Sequence, residues 1–415
     1  MKHVCIVSGD HLWINPRVVK EADALSAAGF QVTVVGPAVT AFDQARDLTI
    51  LAGRPWKRIS APDLLKPSPF GIKRFVTRLA RRAQITGVRW LGLPLAGSLG
   101  YGLGDTVSAA AALNADLYAC HVESGLVMFQ RLSRLGRACV FDFEDWHARD
   151  LLAGARRSRP VGMIAALERL AMNTAVFTTT TSQALADALA ATYGGTRPVV
   201  VYNAFEAGAG RREGPFKDRP STDKVSLHWY SQVVGEGRGL EMLFDAVNLL
   251  QTDVELHIRG KGSQDYKDRL LQRLRSETRA RVFFHPTTDP AGLPARIAEH
   301  DIGLALEAKS PPSRDLTITN KVFQYLQGGC AVIATRTAGQ EEAARLFPGA
   351  ISLVEADAAS LAEAIRRLVD DPAALTAARR AARTAGEGPA SWEQASRPLV
   401  ARFRQALAPA DPGKS

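Results

Sequence analysis

Three short stretches of the chain present backbone amides and a cation where a strand would give way to a helix, and two of them carry glycine. The longest reads Ser231-Gln232-Val233-Val234-Gly235-Glu236-Gly237-Arg238-Gly239 and runs into a helical pattern over Leu240–Leu249. Glycines at Gly237 and Gly239 let backbone amides approach an anion, the helix N-terminus adds its positive dipole end, and Arg238 adds a fixed charge. Arg259-Gly260-Lys261-Gly262 repeats the combination, and Thr319-Asn320-Lys321 opens a further helix. One such turn occurs in any α/β sheet; three at one sheet edge imply a phosphate-rich ligand. No GxGxxG stands near residue 10, which disfavours a dinucleotide-binding first domain.

The elements that must carry these loops follow from hydrophobic pattern. Val4–Ser8 is a continuous apolar run, as in a strand buried on both faces. Asn15 and Pro16 suit a helix cap and first turn, Val18, Val19, Ala22, Leu25 and Ala28 make a helical stripe, and Val32–Val35 is the next strand. Strands over 116–120, 138–141, 175–179 and 199–202 continue the alternation with helices between them. Gly208, Gly210, Gly214, Pro215 and Pro220 punctuate 203–223 as a linker. A second alternating series runs from Val225 to about residue 388, and a last helix spans Ser391–Leu407. The fold class is therefore α/β, with two doubly wound Rossmann-like domains facing a cleft. The boundaries read 1–205, with a basic insert at 54–91, then 206–390, and 391–415 as a helix crossing back to the first domain plus a tail.

Composition narrows the partners. The chain has 415 residues, 46% hydrophobic, with a net charge of +10. Ten cations and one acid lie between Arg54 and Arg89, so this segment holds +9 and the remainder is almost neutral. A nucleic-acid binder working over its whole surface is disfavoured. The apolar stretch at the N-terminus is too short for a signal-peptide core. Cys5, Cys120, Cys139 and Cys330 have no CxxC spacing and read as buried thiols of a cytoplasmic protein.

Asn15-Pro16-Arg17 through Val35, Val201-Tyr202-Asn203, His228–Leu240, Leu256–Gly262 and Asn320–Ala334 resemble landmarks of the retaining GT-B glycosyltransferases, most closely the bacterial family 4 or group 1 type. The resemblance implies an enzyme that moves a sugar from a nucleotide-diphosphate donor to a lipid-linked or polysaccharide acceptor. It implies no cofactor and no metal, the C-terminal domain holding the donor. Arg238-Gly239 matches the family's Lys-Gly diphosphate loop, where Arg238 would stabilise the leaving group. Ser231-Gln232 replaces an expected arginine, leaving Lys261 or Lys321 as candidates for the second cation. The family's two glutamates, separated by seven residues, have no counterpart: Gln324 and Leu316 occupy those positions. Gln324 keeps an amide oxygen for a ribose hydroxyl, and Glu307 is the nearest alternative carboxylate.

The same resemblance places His121 beside the transferred sugar, with Glu123 in its loop; a satisfied histidine at a strand end is the plainer alternative. Asp10, Asn15 and Arg17 would face the cleft, Arg17 reaching a phosphate of donor or acceptor. Asp142, Glu144 and Asp145 look like a metal-binding DxD motif but read as acceptor contacts or caps. The leaving phosphate oxygen would take the acceptor proton, so no protein base is assigned. Two other functions fit the fold: a nucleotide-sugar epimerase, and a partner subunit that binds donor without turnover.

Within the basic segment, Ile72, Phe75, Val76, Leu79 and Ala83 fall at helical spacing among Lys73, Arg74, Arg78, Arg81 and Arg82, with Trp56, Phe70 and Trp90 flanking. A basic amphipathic helix with aromatic edges suits anionic lipid, and would place the protein on the inner face of the plasma membrane. The alternatives are a solvated helix whose apolar stripe packs on its own domain and, less favoured, a nucleic-acid contact.

Overall fold

The computed structural model describes residues 1–66, 72–151, 153–210, 224–250, 253–276 and 281–409. The chain divides into two compact units. The first comprises 1–181, 185–201 and the C-terminal segment from Ser396; the second comprises 182–184 and 202–395. Phe70, much of the glycine- and proline-rich linker, and the tail after 409 lie outside the described residues.

Among the described residues the first unit has a seven-stranded parallel sheet of β1 (His3–Ser8), β2 (Gln31–Ala38), β3 (Lys57–Asp63), β4 (Leu117–His121), β5 (Cys139–Phe143), β6 (Thr178–Thr180) and β7 (Val199–Val200). Their order is β3-β2-β1-β4-β5-β6-β7. β1 pairs with β2 from His3↔Gln31 and with β4 from Val4↔Leu117. Val4, Cys5, Ile6 and Val7 are fully buried, which is why that strand reads as an unbroken apolar run.

The second unit has six parallel strands among the described residues: β8 (Val225–Val233), β9 (Val254–Lys261), β10 (Val282–His285), β11 (Ile302–Ala305), β12 (Ala331–Thr335) and β13 (Ile351–Val354). Their order is β10-β9-β8-β11-β12-β13. In both sheets the order reverses once, between β1 and β4 and between β8 and β11. Loops leaving adjacent strands there run to opposite faces and open a crevice at the strands' C-terminal ends.

One expectation about the basic segment needs correction. Residues 57–63 are the edge strand of the first sheet, paired to β2 from Thr33↔Lys57, and not part of an insertion. Lys57, Arg58 and Pro62 disguise the strand, although cations and proline are what edge strands tolerate. The segment's charge is also partly compensated from elsewhere. Arg54 pairs with Asp23 at 3.0 Å, Arg58 with Asp47 at 2.9 Å and Lys73 with Asp105 at 3.1 Å.

The C-terminal helix Arg397–Ala406 belongs to the first unit. Phe403, fully buried, stands edge-on to Phe177 with ring centres 5.3 Å apart and lies 6.4 Å from Phe30. Phe403→Ala would leave a cavity between these rings. It is expected to destabilise the first unit by roughly 3–5 kcal/mol, read from the shift of its urea unfolding midpoint.

Candidate functional site

In the first unit the candidate residues gather at the strand-order reversal. The loop after β1 is fixed by a buried tether. His11 Nε2 accepts from the Val39 amide (3.1 Å), so its Nδ1 carries the proton and donates to Asp47 (2.7 Å). Asp47, with no exposed surface, also accepts from the Trp13 amide (3.1 Å). Gly9 lets the loop lie against Ser124, since a Cβ there would fall 1.8 Å from Ser124 Oγ. His11 and Asp47 escaped the sequence reasoning; the only signal was a carboxylate inside an otherwise mixed helix, Ala41–Leu51.

Behind the loop lies a charge network. Asn15 caps helix Pro16–Ala27 by accepting from the Val18 amide (3.3 Å). Arg17 grips Asp142 with two bonds, Nε to Oδ2 at 2.7 Å and Nη2 to Oδ1 at 2.8 Å, and its Nη1 donates to the Val201 carbonyl (3.0 Å). His121, at the end of β4, lies 3.4 Å from Glu21 Oε2 and 3.5 Å from Asp142 Oδ2, at ion-pair range. Glu21 is a further member that motif matching missed; it sits one turn after Arg17 on the same helix face.

Arg17, Glu21, His121 and Asp142 are all buried. Burial would lower the His121 pKa, but the Glu21 and Asp142 carboxylates outweigh it and raise the imidazole from its ordinary 6.5 to about 10. Burial would likewise raise the Asp142 carboxyl, yet Arg17 and His121 hold it well below the usual carboxylate range. Val122, the next residue, sits at φ 61°, a region that a β-branched side chain rarely enters. The turn is strained where β4 meets helix Val122–Arg134.

This geometry corrects several expectations. Arg17 is spent on Asp142 and Val201 and does not reach out to a phosphate. Asp142 is an internal counter-ion and not an acceptor contact. Glu123 is ion-paired with Arg159. Glu144 and Asp145 are half-buried, and burial raises both carboxyls, with Arg17 opposing. Among the described residues no group of three or more His, Cys, Asp or Glu side chains is arranged to hold a metal ion. Asp10 alone of the predicted acceptor residues is exposed.

In the second unit the two glycine-bearing loops pack closely on their neighbours. Gly237 and Gly239 have φ of 71° and 75°, and Gly239 caps the helix Leu240–Leu249. A Cβ on Gly239 would sit 2.8 Å from Leu306 Cβ, and one on Gly260 would sit 2.4 Å from the Ser231 carbonyl. Glycine is thus required by the approach of one loop to another. Arg238 is partly exposed, and its Nη1 donates to Ser231 Oγ at 2.9 Å. Ser231 therefore orients the arginine and keeps its hydroxyl proton to donate. Gln232 and Lys261 are exposed beside it.

Helix Asn320–Gly328 presents Thr319, Asn320 and Lys321 at its start. Lys321 lies 2.6 Å from Glu307. Burial would raise the Glu307 carboxyl, but Lys321 keeps it low and ionised. The expectation of Lys321 as a second diphosphate cation is thereby corrected, because its charge is neutralised in place; Lys261 is left. Gln324 Oε1 accepts from the Tyr230 hydroxyl, so one lone pair of the amide oxygen is already used.

The expected membrane residues divide. Trp56 is buried and donates to Asp23 at 2.6 Å. Arg78 donates to the Val39 carbonyl and Arg81 stacks 4.2 Å over Tyr101, so both face the protein. Lys73, Arg74 and Arg82 are exposed.

Residues 227–371 match the family model described as glycosyl transferases group 1. Solved structures match over nearly the whole chain. A sucrose-phosphate synthase from Thermosynechococcus elongatus aligns with a TM-score of 0.70 and 15% identity, covering 98% of this chain and 100% of that one. The chain has the GT-B glycosyltransferase fold. A glycosyltransferase from Rickettsia africae gives a TM-score of 0.64 and 13% identity over 98% of this GT-B chain and 99% of its own. Anabaena HepE in complex with UDP-glucose gives 0.66 and 16% over 98% and 100%. At these identities the likeness carries the fold. No curated protein sequence matches the chain.

The His121 network makes a signed pH prediction. Because its folded pKa is raised, His121 contributes stability that is complete below pH 6.5 and is lost as pH climbs through about 10. The difference in unfolding free energy between the natural protein and His121→Gln should shrink steadily from pH 6.5 to about 10, as measured by urea denaturation across that range.

Proposed function

We propose that the protein is a retaining, metal-independent glycosyltransferase. It transfers a sugar from a nucleotide-diphosphate donor to a lipid-linked or polysaccharide acceptor on the cytoplasmic side of a membrane. The observation that carries this is the second unit's loop 231–239. A partly exposed Arg238 oriented by Ser231 stands between two left-handed glycines at a helix N-terminus, within the segment matching group 1 glycosyl transferases. The HepE structure with UDP-glucose supports a nucleotide sugar as donor.

The chemistry follows from charge. Cleaving the sugar–phosphate bond leaves negative charge on the diphosphate. The guanidinium of Arg238, the amides at Gly237–Gly239 and the N-terminal ends of helices Leu240–Leu249 and Asn320–Gly328 are preorganised to receive it. These fixed dipoles and the cation supply the neutralisation that a metal would otherwise give. Gln324 and the ion-paired Glu307 would orient the donor's ribose and sugar through hydrogen bonds.

A second reading, a donor-binding subunit without turnover, is favoured by one feature: Leu316 and Gln324 leave the paired carboxylates of the family pattern unfilled. A panel of UDP- and GDP-sugars separates the two. Release of nucleotide should be detectable with one donor and should fall on the order of 10²-fold in Arg238→Ala. Donor binding with no release for any sugar or acceptor would leave the second reading standing.

A further inference from the structure

We propose that helix Ile72–Leu91 is a docking element that lays an outward apolar stripe into an anionic lipid surface, with its polar side bolted to the first unit. The helix is mounted opposite to the usual amphipathic arrangement, in which the apolar stripe packs on the core. Its protein-facing residues are Thr77, Arg78, Arg81, Gln84 and Val88. Arg78 donates to the Val39 carbonyl, Arg81 stacks on Tyr101, and the Gln84 amide lies against Gly97. Only Val88 of this helix is buried.

The apolar residues point to solvent. Ile72, Phe75, Val76, Leu79 and Trp90 recur at helical spacing along one side, with Phe75 67%, Leu79 55% and Trp90 74% exposed. Single exposed apolar residues are ordinary on a protein surface. A stripe of five along one helix, ending in an aromatic residue, marks a contact surface.

Charge selects the occupant. The twenty residues contain Lys73, Arg74, Arg78, Arg81, Arg82 and Arg89 and no acid. Arg82 and Arg89 flank one side of the stripe, where they would meet lipid phosphates as Phe75 and Leu79 enter the acyl boundary. A second copy of the chain would bring two sets of these cations together, so self-association is disfavoured. Among the described residues no helix is long and apolar enough to cross a membrane, and six cations in this one confine it to the interface plane.

The inference deepens the acceptor side of the function proposed above and rests on that reading for its purpose. Lipid binding itself is measured without any sugar donor, so failure of either is seen separately. The test is flotation of the full chain with vesicles of equal parts phosphatidylglycerol and phosphatidylcholine, against phosphatidylcholine alone. Binding to the anionic vesicles should exceed binding to neutral ones and weaken with salt. The double variant Phe75→Ser/Leu79→Ser should lose about tenfold or more in partition. Its thermal midpoint should be unchanged, because both side chains are solvent-exposed, and so should its release of nucleotide from donor. Trp90 should shift its emission to the blue on binding, a change missing in Trp90→Phe. Equal binding of the double variant and the natural protein would overturn the proposal. So would absence of vesicle binding, or a dimer in solution that the double variant abolishes.

Discussion

Each sheet of this protein reverses its strand order once, and that constraint governs where chemistry can sit. In a parallel sheet, every strand needs a crossover back to its start, and the crossovers on either side of the first strand must cover opposite faces. Between β1 and β4, and again between β8 and β11, no connection fills the space above the strand ends. The glycines at 239 and 260 are required because the loops at this edge come within contact of one another, and Gly237 because its backbone is left-handed.

The two crevices differ in how they handle charge. In the first unit, Asp142 is a buried carboxylate on a strand, and its desolvation must be offset from several elements at once. Arg17 from the first helix, His121 from β4 and Thr179 from β6 all turn to it. The network ties together the ends of neighbouring strands β4, β5 and β6 and the first helix. Such a set is costly to interrupt at one member, because the remaining charges stay buried. In the second unit the cation of the central loop is held by a neutral hydroxyl, Ser231, and among the described residues it has no ion pair.

Much of the architecture was legible in the amino-acid pattern. The runs Val4–Val7, Val254–Ile258 and Ala331–Ala334 are strands because they are buried on both faces, and such strands announce themselves. β3 was missed because an edge strand needs only one paired side and can carry Lys57, Arg58 and Pro62. The site was legible as a set of loops and much less as roles. Arg17 and Asp142 are 125 positions apart, and only the register of β1, β4 and β5 shows that they neutralise one another. Lys321 and Glu307, expected to serve separately, form a pair for the same reason. The sequence left the orientation of helix 72–91 open between a lipid-facing and an inward-packed apolar stripe. Its periodicity gives two faces, and the usual rule assigns the apolar one inward; Arg78 bonds a carbonyl, Arg81 stacks on a ring and Gln84 lies against Gly97, which reverses it.

The last helix has a consequence for how the molecule is made. Phe30 and Phe177 of the first unit are completed by Phe403, which leaves the ribosome 226 residues after Phe177. At ~5–20 residues per second, that interval is roughly 10–45 s. Throughout it, the receptor for Phe403 on the nascent first unit stays open. Vectorial synthesis thus delivers the second unit before the first is finished, and ties completion of the first unit to synthesis of the helix Arg397–Ala406.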